Sequence, residues 1–471
     1  MHWLNLMEST IQDINFNKRL FGNDFIWGVS VAALQIEGAI DTHGKGESIW
    51  DAFSAKKGKI RNGDHHGTAC DFYNRFETDI DLIKQLNIPN FRFSVAWSRV
   101  LPNGTGEVNQ AGIDYYNRVI DYCIQQGVEP WLTIYHWDLP QALEAKGGWT
   151  NREVIAWFTE FVNVCARNFG DRVKNWMIMN EPSVFTGAGY FFGIHAPGKT
   201  GLGNFMPAVH HAVMSMAAGA KALRSVLPDA HIGTTFSCSY IEPQTDKPKD
   251  IAAAKRIDTL LNRMYIEPVL GMGYPVKDLP ILRKMSKYIQ PGDLENAKFD
   301  FDFIGIQLYT REIVKYSFFT PYLNASLVKA KDRAVPVTEM GWEVYPPAIY
   351  EILKKFNQYT GIKNLYITEN GAAFPDEVKD GKVDDPKRVA YLQEYLKQVL
   401  KAKTEGYKVS GYFVWTLTDN FEWAEGYNPR FGLIYVDFNT QERIIKSSGH
   451  WFGNFIKKTE PVIEYQEQEK D

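Results

Sequence analysis

Eight short apolar segments recur along the chain, and most of them are followed by a stretch of helical period. The segments are 25–33, 90–97, 130–137, 174–181, 231–237, 303–309, 365–369 and 409–415. Each is β-branched or aromatic and too short for a buried helix, so each reads as a buried strand. Amphipathic stretches at 72–86, 111–126, 154–169, 206–227, 252–268, 388–403 and 451–458 read as helices between or after them. No antiparallel hairpin pattern is visible. Eight buried strands alternating with helices predict an α/β protein, a (β/α)8 TIM barrel forming a single domain over 21–459. A short arm over 1–20 and a tail over 460–471 flank it. An open, doubly wound sheet is the alternative. It is disfavoured because no G-x-G-x-x-G or phosphate-binding loop follows any strand.

A barrel puts its chemistry at the C-terminal ends of the strands. Those ends are polar here while the strand interiors are apolar. They read Gln35 and Glu37, Arg92, His136, Asn180-Glu181, Gln307 and Tyr309, Glu369, and Trp415 followed by Asp419-Asn420-Phe421-Glu422-Trp423. Two of them share one grammar. Leu365-Tyr366-Ile367-Thr368-Glu369-Asn370-Gly371 is an apolar run that stops at a glutamate and an Asn-Gly turn signal, both turn residues tolerating positive φ. Trp176-Met177-Ile178-Met179-Asn180-Glu181-Pro182 is an apolar run that stops at a glutamate and a chain breaker. A single such glutamate is more often a salt-bridged strand end. Two facing each other across a barrel mouth suit acid/base or nucleophilic work on a glycosidic bond. Glu369, with Arg92 and Tyr309 as neighbours in the barrel, is expected to stay ionised and act as the nucleophile. Glu181, between Met179 and Pro182, is expected to have a raised pKa and act as the acid. Gln35, His136, Asn180 and Glu422 offer donors and acceptors for several hydroxyls, and Trp415 and Trp423 offer a stacking floor.

Composition narrows the partners. Lys and Arg total 52 against 56 Asp and Glu, a net charge of −4 without a long basic run, so nucleic acid is not an expected partner. No apolar run is long enough to span a membrane, and the N-terminus lacks the pattern of a signal peptide. Cys70, Cys123, Cys165 and Cys238 show no C-x-x-C spacing and read as buried free thiols, which fits a reducing, cytoplasmic setting. Aromatics reach 14% with 13 Trp, a mild pointer to ring-stacking ligands.

Ile367-Thr368-Glu369-Asn370-Gly371, Met179-Asn180-Glu181-Pro182, Tyr135-His136-Trp137-Asp138-Leu139-Pro140, Arg92-Phe93-Ser94 and Asp419-Asn420-Phe421-Glu422-Trp423 occur together and in order. In this the chain resembles the family 1 glycoside hydrolases, the β-glucosidase family, from about residue 21 to about residue 455. The resemblance implies a retaining double displacement with Glu369 as nucleophile and Glu181 as acid/base. It implies that Arg92 and Tyr309 orient Glu369, and that Gln35, His136, Asn180, Trp415, Glu422 and Trp423 hold the sugar. It implies that Trp342 is the platform for the leaving group, and that no metal or organic cofactor is used. The implied substrate is a β-glucoside or short oligosaccharide. Two positions depart from the family pattern: Ile178, where Thr is common, and Gln307, where Asn is common. Both are expected beside the carboxylates, with Gln307 among the substrate-binding residues.

Glucose, galactose and fucose are not separated by these residues, and transglycosylation and a homo-oligomeric state stay open. A 6-phospho-β-glycosidase is disfavoured. Glu422 would repel a phosphate, and Ala424-Glu425-Gly426-Tyr427 supplies no cation. A non-catalytic sugar-binding barrel would be expected to lack one of the carboxylates. Phe185 and Tyr190 suggest an aromatic entrance. His65-His66 and His210-His211 are expected to point apart rather than bind metal. Lys56-Lys57-Gly58-Lys59 reads as a solvated loop, and 466–471 as a frayed tail.

Overall fold

The computed structural model describes residues 16–457, so most of the expected arm and the whole of the tail lie outside the described residues. The barrel strands are β1 (Ile26–Ser30), β2 (Asn90–Ser94), β3 (Glu129–Tyr135) and β4 (Asn175–Asn180), then β5 (His231–Pro243), β6 (Phe303–Tyr316), β7 (Leu365–Asn370) and β8 (Val409–Trp415). Each pairs in parallel with the next. β8 pairs back onto β1 from Ile26↔Gly411 to Ser30↔Trp415, which closes the ring. One principal helix follows each strand: α1 (Phe72–Gln85), α2 (Gln110–Gln125), α3 (Val154–Phe169), α4 (Leu202–Val226), α5 (Pro248–Asp258), α6 (Pro347–Asn357), α7 (Pro386–Thr404) and α8 (Ser447–Lys457). This is the expected (β/α)8 barrel.

The helices form for local reasons. In α3 the buried residues are Val154, Phe158, Phe161, Val162, Cys165, Ala166 and Phe169, one stripe at a period of 3.6, and Gly170 follows the last turn. α5, α6 and α7 each carry a proline at the first helical position, where its missing N–H costs nothing. α6 was not read from the sequence because Pro346-Pro347 resembles a break in the chain. The helix expected over 252–268 is shorter. α5 stops at Asp258 and runs into a π-turn over Thr259–Arg263.

The floor of the barrel is a packed cluster of Trp131, Met177, Phe303, Tyr366 and Phe413, closed by Ile26. Trp131 stands at its centre, with the Phe413, Tyr366 and Phe303 rings 5.1, 5.4 and 5.7 Å away. Above it the lining turns polar with Arg92 and Thr133, both fully buried. The site therefore rests on a rigid base.

Antiparallel pairing does occur, outside the barrel wall. β5 and β6 run past the ring together as far as Pro243↔Val314, and Ala325–Val328 adds to β6 from Ile313↔Val328 to Tyr316↔Ala325. Two small hairpins, 378–383 and 434–445, complete the loops.

At the end of β7 the Asn-Gly signal has a different cause from the expected turn. Neither residue has positive φ. Asn370 is buried, donates to the Leu308 carbonyl at 2.6 Å and accepts from Tyr412 Oη at 2.6 Å. Gly371 is required because a Cβ there would lie 1.8 Å from the Trp415 carbonyl oxygen. Gly371→Ala must push β7 and β8 apart and should cost about 1–3 kcal/mol by denaturant unfolding; an unchanged midpoint would contradict this packing.

Candidate active site

β4 ends at Asn180, and Glu181 leaves the strand in the left-handed region, at φ 44° and ψ 64°. Pro182 then opens the short helix Pro182–Thr186. Trp137 (φ 77°) and Trp423 (φ 51°), on two other strand-end loops, are also left-handed. Such conformers cost on the order of 1–3 kcal/mol each and persist only where surrounding structure holds them. Here they aim three side chains into one space. A cavity of about 320 Å³ is lined by Glu181, Glu369, Glu422, His136, Tyr309, Trp342, Trp415 and Trp423. Trp137 and His195 line it as well. Eight of the residues picked out in the sequence thus meet there. Gln35, Arg92, Asn180 and Gln307 stand behind that lining and bond to it.

The two glutamates are both buried, Glu181 at 6% and Glu369 at 3% exposure, but their surroundings differ. Arg92 Nη1 donates to Glu369 Oε1 at 2.5 Å, Gln307 Nε2 to the same oxygen at 2.7 Å, and Tyr309 Oη to Oε2 at 2.7 Å. Glu181 is held by neutral groups: a 3.4 Å contact from Asn180 Nδ2 and a hydrogen bond from the Ser237 hydroxyl. Burial pushes the Glu181 carboxyl well up, and the negative charge of Glu369 pushes it further. Burial raises Glu369 too, but Arg92 and Tyr309 oppose it. Of the pair, Glu369 therefore loses its proton first and Glu181 keeps its own. Burial, together with the Glu369 charge, pushes Glu422 up to about 8.

Asn180 sets the orientation of its neighbours. Its Oδ1 accepts from Arg92 Nη2 at 2.5 Å, Gln307 Nε2 at 2.7 Å and Thr235 Oγ1 at 3.0 Å, all obligate or free donors. That fixes which end of the amide is nitrogen, and Nδ2 then points at His136 Nε2, 3.0 Å away. An amide nitrogen only donates, so Nε2 accepts and the ring proton stands on Nδ1. Burial, reinforced by Arg92, holds the His136 pKa well below its usual value, so the ring is neutral. Its Nδ1 and the Gln35 Oε1 have no hydrogen-bond partner among the described residues. A buried donor and a buried acceptor are thus left for a ligand. Gln35 Nε2 donates to Asn420 Oδ1, the Phe421 carbonyl and, at 3.4 Å, Glu422 Oε2. Trp423 lies 4.4 Å from Trp137 and 5.9 Å from His136, ring to ring, and His136 lies 6.1 Å from Trp415.

Several expectations need correction. Ile178 does not lie beside the carboxylates. It faces α4 outside the barrel, where a Cβ added at Gly219 would stand 3.3 Å from its Cγ2. Glu37 is structural, paired with Arg99 at 3.0 Å and accepting from Tyr116 at 2.6 Å. Phe185 and Tyr190 are buried rather than at an entrance; Tyr190 donates to Glu144 and Phe185 packs on Trp149. His65 and His66 lie in a loop where a turn begins, not in a regular element, and their rings stack 4.9 Å apart. His210 and His211 do pack inside α4, His210 against Asp293 and His211 against the Trp149 carbonyl. No metal-binding group of three His, Cys, Asp or Glu exists among the described residues, and no described helix is long and apolar enough to cross a membrane. All four cysteines are buried and free. Trp137, His195, Glu312 and Met340 in the cavity wall were missed. Trp137 stands inside a motif that was read only for His136, but nothing local marks His195.

A model of glycosyl hydrolase family 1 matches residues 17–461. The chain is 44% identical to beta-glucosidase A of Thermotoga maritima over 443 residues, 94% of this chain and 98% of that protein. It is 44% identical to a 1,4-beta-D-glucan glucohydrolase of Thermotoga neapolitana over 439 residues, 93% of this chain and 98% of that protein. The structure of a beta-glucosidase from Thermotoga maritima in complex with deoxynojirimycin superposes with a TM-score of 0.89 at 44% identity, covering 92% of this chain and 98% of that one. The barrel, the two strand-end glutamates in one cavity and a match over nearly the whole length agree: this chain belongs to glycosyl hydrolase family 1.

Proposed function

We propose that this protein is a retaining β-glucosidase that releases terminal glucose from β-glucosides and short β-1,4-glucans. The observation that carries the reading is the unequal pair, Glu369 held by three donors with the Arg92 cation among them and Glu181 held by neutral groups alone, lining one cavity. Glu369 attacks the anomeric carbon, and Glu181 protonates the departing oxygen. Water, deprotonated by Glu181, then cleaves the glycosyl ester. Arg92, Tyr309 and Gln307 hold the nucleophile, and Asn180 ties Arg92, Gln307 and His136 together. His136 Nδ1, Gln35 Oε1 and Glu422 meet the sugar hydroxyls, Trp415 and Trp423 stack on the ring, and Trp342 supports the leaving unit. The chemistry needs no cofactor. The relatives named for glucoside and glucan hydrolysis support the substrate class, and the reduced thiols support a cytoplasmic setting.

Phosphorylated sugars are disfavoured by charge. No Lys or Arg lines the cavity, and five glutamates do. Accordingly, p-nitrophenyl β-glucoside should be hydrolysed and its 6-phosphate should not, in a direct comparison of kcat/KM. The reverse preference would overturn the assignment. A panel of β-glucoside, β-galactoside and β-fucoside ranks the accepted sugars.

A further inference from the structure

Glu312 lies on the part of β6 that runs beyond the barrel ring, paired with Ile241 of β5. It lines the same cavity as Glu181, but is half-buried like its companions Ser239, Met340 and Trp342, so these residues form the outer wall. Nothing described bonds to its carboxylate: the nearby Arg333 is spent on Glu343 at 2.7 Å. The lining is also aromatic, with Trp342 5.2 Å from Tyr309 and 6.1 Å from Phe431. The histidines that line the cavity, His136 and His195, are kept neutral by burial, His195 being pushed down to about 4. A carboxylate and an indole lining one cavity, with no Lys or Arg in that lining, is the combination that binds ammonium groups.

From this we infer that Glu312 and Trp342 form a cation-selective site for the leaving group, so that β-glucosides carrying an amine or quaternary ammonium on the aglycone are preferred and anionic ones rejected. The inference rests on the hydrolase reading above and names the substrate class of its outer site. Burial brings the Glu312 pKa up to about 7, with Arg333 opposing and Glu343 adding to the rise. The selectivity should therefore grow as pH rises through neutrality.

Three isosteric glucosides with permanent or no charge test it: 2-(trimethylammonio)ethyl, 3,3-dimethylbutyl and 2-sulfoethyl β-glucoside. In the wild-type enzyme at low ionic strength, kcat/KM for the cation should exceed that for the sulfonate by about tenfold or more, and added salt should shrink the ratio. In Glu312→Gln the ratio of cation to neutral substrate should fall severalfold, and in Glu312→Lys it should invert. A wild-type ratio near one overturns the inference without any variant. So does a ratio that Glu312→Gln leaves unchanged, since the preference would then belong to the other cavity acids. Loss of p-nitrophenyl β-glucoside hydrolysis in the wild type would instead remove the hydrolase reading and this inference with it.

Discussion

Glu369→Gln should lower kcat/KM on p-nitrophenyl β-glucoside by about 10⁴-fold or more while the protein still unfolds in one cooperative transition. The amide matches the carboxylate in shape but cannot form the glycosyl ester. It also presents an NH₂ group where Arg92, Gln307 and Tyr309 all donate, so at least one of those three bonds at 2.5–2.7 Å must be lost. Arg92 is fully buried and keeps Asn180 Oδ1, Thr133 Oγ1 and the Thr368 carbonyl as acceptors, but loses its one ion-pair partner among the described residues. Breaking a buried pair from one side costs up to about 3–5 kcal/mol. The amide keeps part of the hydrogen bonding that the carboxylate had, so the measured loss should fall below that range. Activity within about tenfold of wild type would mean that Glu369 is not the nucleophile.

How much of this was readable without coordinates depends on the range of the interaction. Glu181 and Glu369 were legible because each ends an apolar strand at a chain breaker, and barrel geometry sends all such ends to one mouth. The three donors on Glu369 were legible in part: Arg92 and Tyr309 follow from the same strand-end logic. That Gln307 bridges Asn180 and Glu369 depends on one side chain's reach. Ile178 was misjudged by the alternation of β4. Met177 joins the barrel floor, its neighbour faces α4, and the irregular pairing between Met177 and Asn180 then resets the count. Gly371 was given the right importance for the wrong reason, because close approach to Trp415 is a tertiary fact. The outer wall was the least legible. His195, Glu312 and Met340 lie on three separate loops or extensions, and only the closed fold brings them together.

The same unequal pair predicts a second large effect, one that depends on the substrate. Glu181→Gln should reduce kcat/KM on cellobiose by about 10²–10⁴-fold, the usual contribution of a general acid, and reduce it far less on 2,4-dinitrophenyl β-glucoside. The dinitrophenolate departs without a proton, so only the unassisted bond of cellobiose needs Glu181. Wild-type kcat/KM on cellobiose should fall at high pH as Glu181 ionises, and the raised pKa carries activity above the ordinary carboxylate range. The low-pH limb belongs to protonation of Glu369, so the two apparent values describe the coupled pair. In the variant the alkaline limb should vanish. Once the sugar is esterified to Glu369, the charge that lifts Glu181 is gone, and its pKa must drop. The same group is thereby turned from the acid of the first step into the base of the second. With the activated substrate, Glu181→Gln should therefore accumulate the glycosyl-enzyme, seen as a burst of dinitrophenol followed by slow turnover. Equal losses on both substrates, with no burst, would assign the proton transfer to another group in the cavity.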